Sequence, residues 1–159
     1  MKFSVTLLID APIERVFDLC RSTDLHVETQ IQSNEQVIGG RMEGLLSANE
    51  EVTWSAKHFG FRMKHVARIT AFERPTRFQD TMTKGMFKSF VHDHVFEEVS
   101  GKTKVTDVLV FESPFGVIGK IVDTLILRNY LERLIEKRVQ MIRTVAESET
   151  WSKYLPDSI

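Results

Sequence analysis

The chain has 159 residues, of which 42% are hydrophobic and 27% are charged, and its formal net charge is −1. This length is typical of one domain with a sizeable core. The near-neutral charge argues against a nucleic-acid-binding protein, which normally carries a basic stripe. It also gives the chain no bulk attraction to anionic membranes. We therefore expect a single domain spanning 1–159.

Cysteine content and hydropathy predict where such a protein resides. Cys20 is the only cysteine, so no intramolecular disulfide can form, which is typical of a reducing compartment. The short apolar run at the N-terminus is interrupted at once by proline and charges, unlike a signal peptide. No apolar stretch approaches the ~20 residues of a membrane-spanning helix. These features predict a soluble, cytoplasmic protein without membrane insertion.

The first 30 residues predict a strand and two short helices. Residues 2–9 are rich in β-forming side chains and alternate at first, as in a strand. The sequence DAP at 10–12 is a helix-start signal, and apolar side chains then recur at helical spacing as far as Cys20. That position predicts a buried, inert thiol rather than a nucleophile. A second short helix is predicted over 22–30.

Between residues 34 and 113 we find no long helical period. Strand-like runs are separated there by turn signals rich in Gly, Pro and Ser, and this spacing predicts a meander of antiparallel hairpins. The predicted strands are 35–39, 44–48, 50–59, 61–73, 77–84, 87–99 and 102–112.

A long amphipathic helix is predicted over about 117–148, after a Ser113-Pro114 start signal. Its apolar stripe runs through Leu127, Leu131, Leu134, Arg138, Met141 and Val145, and it is widened by Ile121, Leu125, Ile135 and Ile142. The segment 121–127 is apolar on nearly all sides, which indicates deep burial or a second contact such as a dimer partner.

The order of these elements predicts an α+β helix-grip fold. The long helix must bury its stripe, and the concave face of the sheet is the only large apolar surface that can cover it. We expect a curved antiparallel sheet to wrap around this helix and to leave a gap where sheet and helix diverge.

Alternation along the strands assigns their side chains to an inner and an outer face. Parity is clear in the strands at 50–59, 61–73 and 77–84, whereas valines on the opposite face make 87–99 and 102–112 less clear. The inner set includes four histidines and two carboxylates: His58, His65, His92, His94, Asp80 and Asp107. A dry core rarely holds so many polar groups, so they either satisfy one another or line a wet cavity.

Four segments of the sequence resemble the SRPBCC (START/polyketide cyclase-like) superfamily, which has the helix-grip fold of the birch pollen allergen. They are DAPIERVFDL, VTWSAKHFGFRMKHVARITAFERPTRFQD, FVHDHVFEEVSGKTKVTD and FESPFGVIGKIVDTLILRNYLERLIEKR. The chain looks most similar to the bacterial ligand-binding, cyclase/dehydrase-like branch. The resemblance implies that hydrophobic ligands are bound, and that the HxHxF run at His92–Phe96 and Asp107 line or support the cavity. It implies no catalytic residue.

We therefore predict that the protein binds or carries a small hydrophobic ligand, lipid-like or aromatic, between sheet and helix. No cofactor, metal or nucleic-acid partner is predicted. The candidate ligand-binding residues are Trp54, His58, Met63, His65, Phe78, Asp80, Met82, Phe90, His92, His94, Phe96, Asp107, Leu109, Ile121 and Leu125.

Three alternatives remain open at this stage. A metal site could form from His92, His94, His58 and Asp80, although a hydrogen-bonded polar lining explains the same residues. An enzyme of the cyclase or dehydratase type could use His92 or His94 as its acid–base group. An interaction protein could form a homodimer through 121–127.

The outer face of the sheet carries a basic row. It consists of Arg62, Lys64 and Arg68, and a solvated surface is its default interpretation. A partner or a phosphate headgroup is the alternative.

Overall fold

The structure is a computed structural model that describes residues 1–30 and 34–155. Its elements are β1 (Lys2–Ile9), α1 (Ile13–Cys20), α2 (Thr23–Thr29), β2 (Gln36–Gly40), β3 (Glu51–His58), β4 (Phe61–Glu73), β5 (Arg77–Lys84), β6 (Ser89–Val99), β7 (Lys102–Glu112), α3 (Gly116–Val122), a π-helical segment (Asp123–Leu127), α4 (Arg128–Ala146) and a 3₁₀ helix (Glu149–Lys153). The C-terminal residues of the predicted tail, 156–159, lie outside the described part of the chain.

All seven strands form one antiparallel sheet in the order β1-β7-β6-β5-β4-β3-β2. Strands β2 to β7 are sequential neighbours, which confirms the predicted meander. Strand β1 pairs with β7, with Phe3 opposite Leu109, so the first and last strands of the chain are adjacent. Apart from Ser55 on β3, the buried residues on β3 to β7 follow the predicted parity, and the histidines of β6 face the helix side.

The predicted strand at 44–48 is wrong. This segment is a loop that makes only an isolated bridge between Leu45 and Ser22. Its backbone groups bond to the start of α2 instead of to a neighbouring strand: Leu46 N donates to Arg21 O at 3.0 Å, and Thr23 N donates to Gly44 O at 2.9 Å. The apolar residues in this segment are explained by packing under that turn, since Leu46 is buried.

The two short helices close one end of the sheet. Phe17 of α1 lies at the centre of the main core and makes edge-to-face contacts with Phe72, Phe78 and Phe96 at ring distances of 5.2–5.5 Å. Such contacts add to the energy of burial itself. The hydroxyl of Ser22 caps α2 by accepting a hydrogen bond from Leu25 N.

The C-terminal helix is continuous from 116 to 146 and crosses the concave face of the sheet. The α4 part buries a stripe that includes Leu131, Ile135, Val139 and Ile142. This arrangement confirms the α+β helix-grip fold.

The Ser113-Pro114 start signal does not mark the first residue of the helix. The helix begins at Gly116, after Phe115 in the left-handed backbone region at φ 73°. Ser113 instead hydrogen-bonds through its backbone N–H and its hydroxyl to the buried carboxylate of Asp123. Across residues 1–30 and 34–155, no helix is both long and apolar enough to cross a membrane.

Candidate functional site

A cavity of about 600 Å³ lies between the sheet and the C-terminal helix. Its walls are mostly apolar, and its volume falls within the ~300–1,000 Å³ range of small-molecule sites. Nine of the fifteen predicted site residues line it: Trp54, His58, Met63, His65, Phe78, Asp80, Phe90, His92 and Leu109.

Four of the remaining predicted residues belong to the inner face of the sheet but not to the cavity lining: Met82, His94, Phe96 and Asp107. Phe96 packs against Phe17 in the core. His94 and Asp107 are buried and support the cavity wall. Alternation on a strand therefore predicted the face of each residue, whereas it could not separate the cavity wall from the core behind it.

The two predicted helix residues, Ile121 and Leu125, do not line the cavity. They are 53% and 70% exposed, and Ile118, Val122 and Ile126 line it instead. The physical reason is the π-helical segment, whose wider turn rotates α3 relative to α4. A stripe extrapolated from α4 at constant helical period therefore selects the wrong face of α3.

At its deep end the cavity meets a cluster of buried polar groups. His94 lies between two carboxylates, with Nδ1 at 2.7 Å from Asp107 and Nε2 at 3.1 Å from Asp80. The ring of Phe78 stacks on His94 at 4.2 Å between ring centres and covers it. Since both ring nitrogens face carboxylate oxygens, the geometry favours the doubly protonated imidazolium as donor to both.

The pKa directions agree with this proton arrangement. Burial opposes protonation of His94, but Asp107 and Asp80 outweigh it and raise the pKa of His94 above its usual value. Burial likewise opposes ionisation of Asp80, yet its hydrogen bond to His94 and the nearby charges lower its pKa to about 2. Burial also opposes ionisation of Asp107, but the charges of His94 and His92 outweigh it and hold the pKa of Asp107 well below its usual value.

His92 differs from His94 although the two rings are only 3.9 Å apart. Its nitrogens lie at 3.9 Å from Asp80 and 3.7 Å from Asp107, beyond hydrogen-bond length. Nε2 is buried and has no hydrogen-bond partner among the described residues. Burial, followed by the charge of His94, lowers the pKa of His92, so this ring is neutral at pH 7. His92 is thus a neutral polar group in the cavity wall with an unused nitrogen.

Arg138 completes this deep end and was not among the predicted site residues. It lines the cavity, is buried, and donates from its guanidinium to Cys20 O at 2.7 Å, while its Nε has no partner among the described residues. The sequence signal was a charged residue on the apolar stripe of the long helix. Cys20 itself is buried, and burial raises the pKa of its thiol far above the usual range, as expected of an inert cysteine.

A second set of polar groups also lines the cavity. His58 Nδ1 is 2.6 Å from the hydroxyl of Tyr130, and His26 stacks on Trp54 with 4.1 Å between ring centres. Glu35 lies 3.6 Å from His26 Nε2. No sequence pattern marked His26, Glu35 or Tyr130 as site residues, because they come from α2, a loop and the C-terminal helix.

A metal ion and acid–base chemistry both remain hypotheses for the deep end. Potential ligand atoms of Asp80, His92 and His94 lie within 4.8 Å of one another. Two atoms bound to one ion at ~2.1 Å can be no more than about 4.2 Å apart, and the Asp80 oxygen lies 3.1 Å from His94 Nε2 and 3.9 Å from His92 Nδ1. His94 would also have to give up its hydrogen bond to Asp80.

Comparison with solved structures gives the fold independently. TTHA0849 from Thermus thermophilus superposes with a TM-score of 0.73 at 16% identity, over 91% of this chain and 95% of that one. Ginseng major latex-like protein 151 from Panax ginseng gives 0.68 at 14% identity, over 93% and 98%. Ara h 8.0201 gives 0.63 at 13% identity, over 92% and 97%. The chain therefore shares the helix-grip fold of these structures.

These likenesses lie in the fold, since the identities are low. No protein-family model matches the chain, and no curated protein matches it. A function must therefore be argued from the cavity itself.

Proposed function

We propose that the protein binds one small, mostly apolar molecule in the cavity and contacts the polar end of that molecule with His92. The observation that supports this most directly is the position of His92 in the wall of an apolar cavity of about 600 Å³, with its nitrogens 3.7 and 3.9 Å from the nearest carboxylates, beyond hydrogen-bond length. A buried polar group without a hydrogen bond costs about 1–3 kcal/mol, and a ligand that bonds to the His92 ring recovers part of that cost.

The charges around His92 favour a neutral polar group on the ligand. Asp80 can only accept hydrogen bonds in its ionised form, Arg138 can only donate, and neutral His92 can do either. The two carboxylates of Asp80 and Asp107 outnumber the one imidazolium between them, so they oppose a ligand carboxylate beside His92. A hydroxyl or phenol fits this set, because it can donate to Asp80 or His92 and accept from Arg138.

Paired aromatic probes test both parts of this proposal. We expect 1-hydroxypyrene to bind about tenfold or more tightly than pyrene, since one hydrogen bond to a buried group is worth roughly 1.4 kcal/mol. His92→Leu should remove this preference while both probes still bind. The matched control is His58→Leu, which changes a cavity histidine near the opening and should keep the preference.

Failure of either measurement is informative. If neither probe binds, the cavity is not a ligand site and the proposal falls. If both bind equally to the unchanged protein, binding stands, but the role of His92 is wrong. Native mass spectrometry of protein from its own host, searched for a copurified molecule, then names the natural ligand.

The same histidines also favour a second candidate, an enzyme of the cyclase or dehydratase type. A neutral His92 in the wall, beside the His94–Asp107 pair, has the protonation state of a general base. The test is His92→Gln, which should abolish turnover of any identified substrate while leaving its binding nearly unchanged. Unaltered turnover would leave the protein as a binder.

A further inference from the structure

Large apolar side chains surround the opening of the cavity and face solvent. They belong to three segments: the β3–β4 hairpin tip (57–64), the β5–β6 loop (84–88) and the start of the C-terminal helix (113–128), which we call the rim. Phe61, Phe115, Ile118 and Leu125 are 69–83% exposed. Phe59, Met86 and Ile118, one from each segment, line the same cavity. The three segments therefore meet around one opening.

The rim is held in place by buried polar contacts. Inside the π-helical segment, the buried carboxylate of Asp123 accepts hydrogen bonds from Ser113, which fixes the helix start against the end of β7. Gly119 lies so close to Pro114 that an added Cβ would be 2.1 Å from the Pro114 carbonyl oxygen. The exposed apolar residues thus sit on an anchored surface. Apolar patches of this kind mark contacts with a partner or a membrane.

The charged residues of the rim are almost all basic. Its only acidic residue is Asp123, which is buried. Its seven basic residues are Lys57, Arg62, Lys64, Lys84, Lys88, Lys120 and Arg128. Lys88 pairs with Glu112 just outside the rim, whereas the structure shows no salt bridge from the other six to any described residue. The net charge of −1 for the whole chain therefore hides a basic ring around the opening.

We infer that the rim docks onto an anionic lipid bilayer, with the opening of the cavity facing the membrane. The exposed side chains would enter the headgroup–acyl boundary, and the basic ring would contact anionic headgroups, as in proteins that bind membranes peripherally. A second copy of the chain fits this surface poorly. A two-fold interface places the same patch on both sides, so the seven cations of one copy would face those of the other. The inference goes beyond ligand binding and does not depend on it.

Vesicle co-sedimentation tests the docking surface. We expect binding to vesicles of phosphatidylcholine mixed with phosphatidylglycerol, little binding to phosphatidylcholine alone, and weaker binding as salt rises. The apolar variant combines Val117→Ser, Ile121→Ser and Leu125→Ser, whose side chains are exposed and do not line the cavity. The charge variant combines Lys57→Gln, Lys84→Gln and Lys120→Gln, none of which lines the cavity. Each should weaken binding about tenfold or more.

The matched control replaces three exposed apolar residues outside the rim, Leu8, Val110 and Met141, by Ser, and it should bind vesicles as the unchanged protein does. Equal binding to both vesicle types, or no binding to either, would overturn the inference. So would sedimentation velocity showing a dimer that the apolar variant abolishes. Because the variants leave the cavity lining intact, 1-hydroxypyrene binding reports separately on ligand binding and on correct folding.

Discussion

The two ends of the cavity differ in which side chains they bury and which they expose, although the same C-terminal helix passes both. At the deep end, ionisable side chains are buried and arranged so that His94 joins Asp80 and Asp107. At the rim, apolar side chains face water, and most of the cations have no acidic partner in the described chain. Contacts within the folded chain explain nearly every buried polar group at the deep end. They explain few of the exposed side chains at the rim.

This difference indicates where function is to be sought. A buried charge must be paired or the fold loses several kcal/mol, so the His94 network is explained by stability alone. The described chain supplies no close hydrogen bond to the His92 ring and no cover for the exposed face of α3. Ligand contact at one end and membrane contact at the other are therefore the two proposals that the structure supports. Mutations at the deep end should lower the free energy of unfolding more than mutations at the rim.

The largest expected effect follows from removing a carboxylate at the deep end. Asp107→Ala should lower the free energy of unfolding by about 3–5 kcal/mol, because it breaks a buried pair and leaves His94 with one partner. The control is Asp93→Ala on the outer face, where the carboxylate binds Arg77 at 2.9 Å and is partly exposed. That change should cost no more than about 1 kcal/mol. Urea denaturation measures both losses, and equal losses would show that the deep cluster stabilises the fold no more than a surface ion pair does.

The second comparison uses two apolar residues of one helix. Ile135→Ala removes a buried side chain of α4 and should cost about 2–5 kcal/mol, towards the lower end because the cavity is adjacent. Leu125→Ala changes an exposed side chain of the rim and should stay within about 0.5 kcal/mol. Thermal or chemical unfolding of the two variants measures both losses of stability. A large loss for Leu125→Ala would mean that the rim packs against something in the folded chain.

The sequence predicted the deep end better than the rim, and the reasons are physical. Strand alternation has a fixed period of two, so His92, His94 and Asp80 could be placed on the inner face without knowing the curvature of the sheet. Helical period is fixed only while the helix stays α-helical. The π-helical segment at 123–127 breaks that period, and for this reason the helical pattern predicts Ile121 and Leu125 in the cavity although they face solvent.

Other features had weaker signals or none. The loop at 44–48 has the composition of a strand, and only its tertiary hydrogen bonds make it a turn. Glu35 and Tyr130 reach the cavity from elements that have no local pattern in common. Arg138 did have a signal, since a charge within an apolar stripe must find buried partners. The basic ring of the rim comes from three distant segments, so only the fold brings its cations together.

The smallest predicted effect concerns the proton on His94. Its pKa is raised by Asp107 and Asp80 against the opposing effect of burial, so its protonation stabilises the folded state. This contribution is complete below the ordinary histidine pKa of 6.5 and is lost as pH rises from there through the raised pKa. His94→Gln should therefore cost about 1.5–3 kcal/mol at pH 6, the value of hydrogen bonds to a charged group, and progressively less towards about pH 8.5.

The two carboxylates do not interfere in this window, because the lowered pKa values mean that their contributions are lost only on acidification below pH 3.8. Burial raises the pKa of Cys20, so its contribution declines only as pH rises through the ordinary thiol pKa of 9.0, above this window. His92→Gln serves as the matched control. The pKa of His92 is lowered, so the contribution of His92 to stability is present above pH 6.5 and lost on acidification. This variant should therefore lose stability above pH 6.5 just as the unchanged protein does. A cost of His94→Gln that does not change between pH 6 and pH 8.5 would mean that His94 is neutral between its two carboxylates.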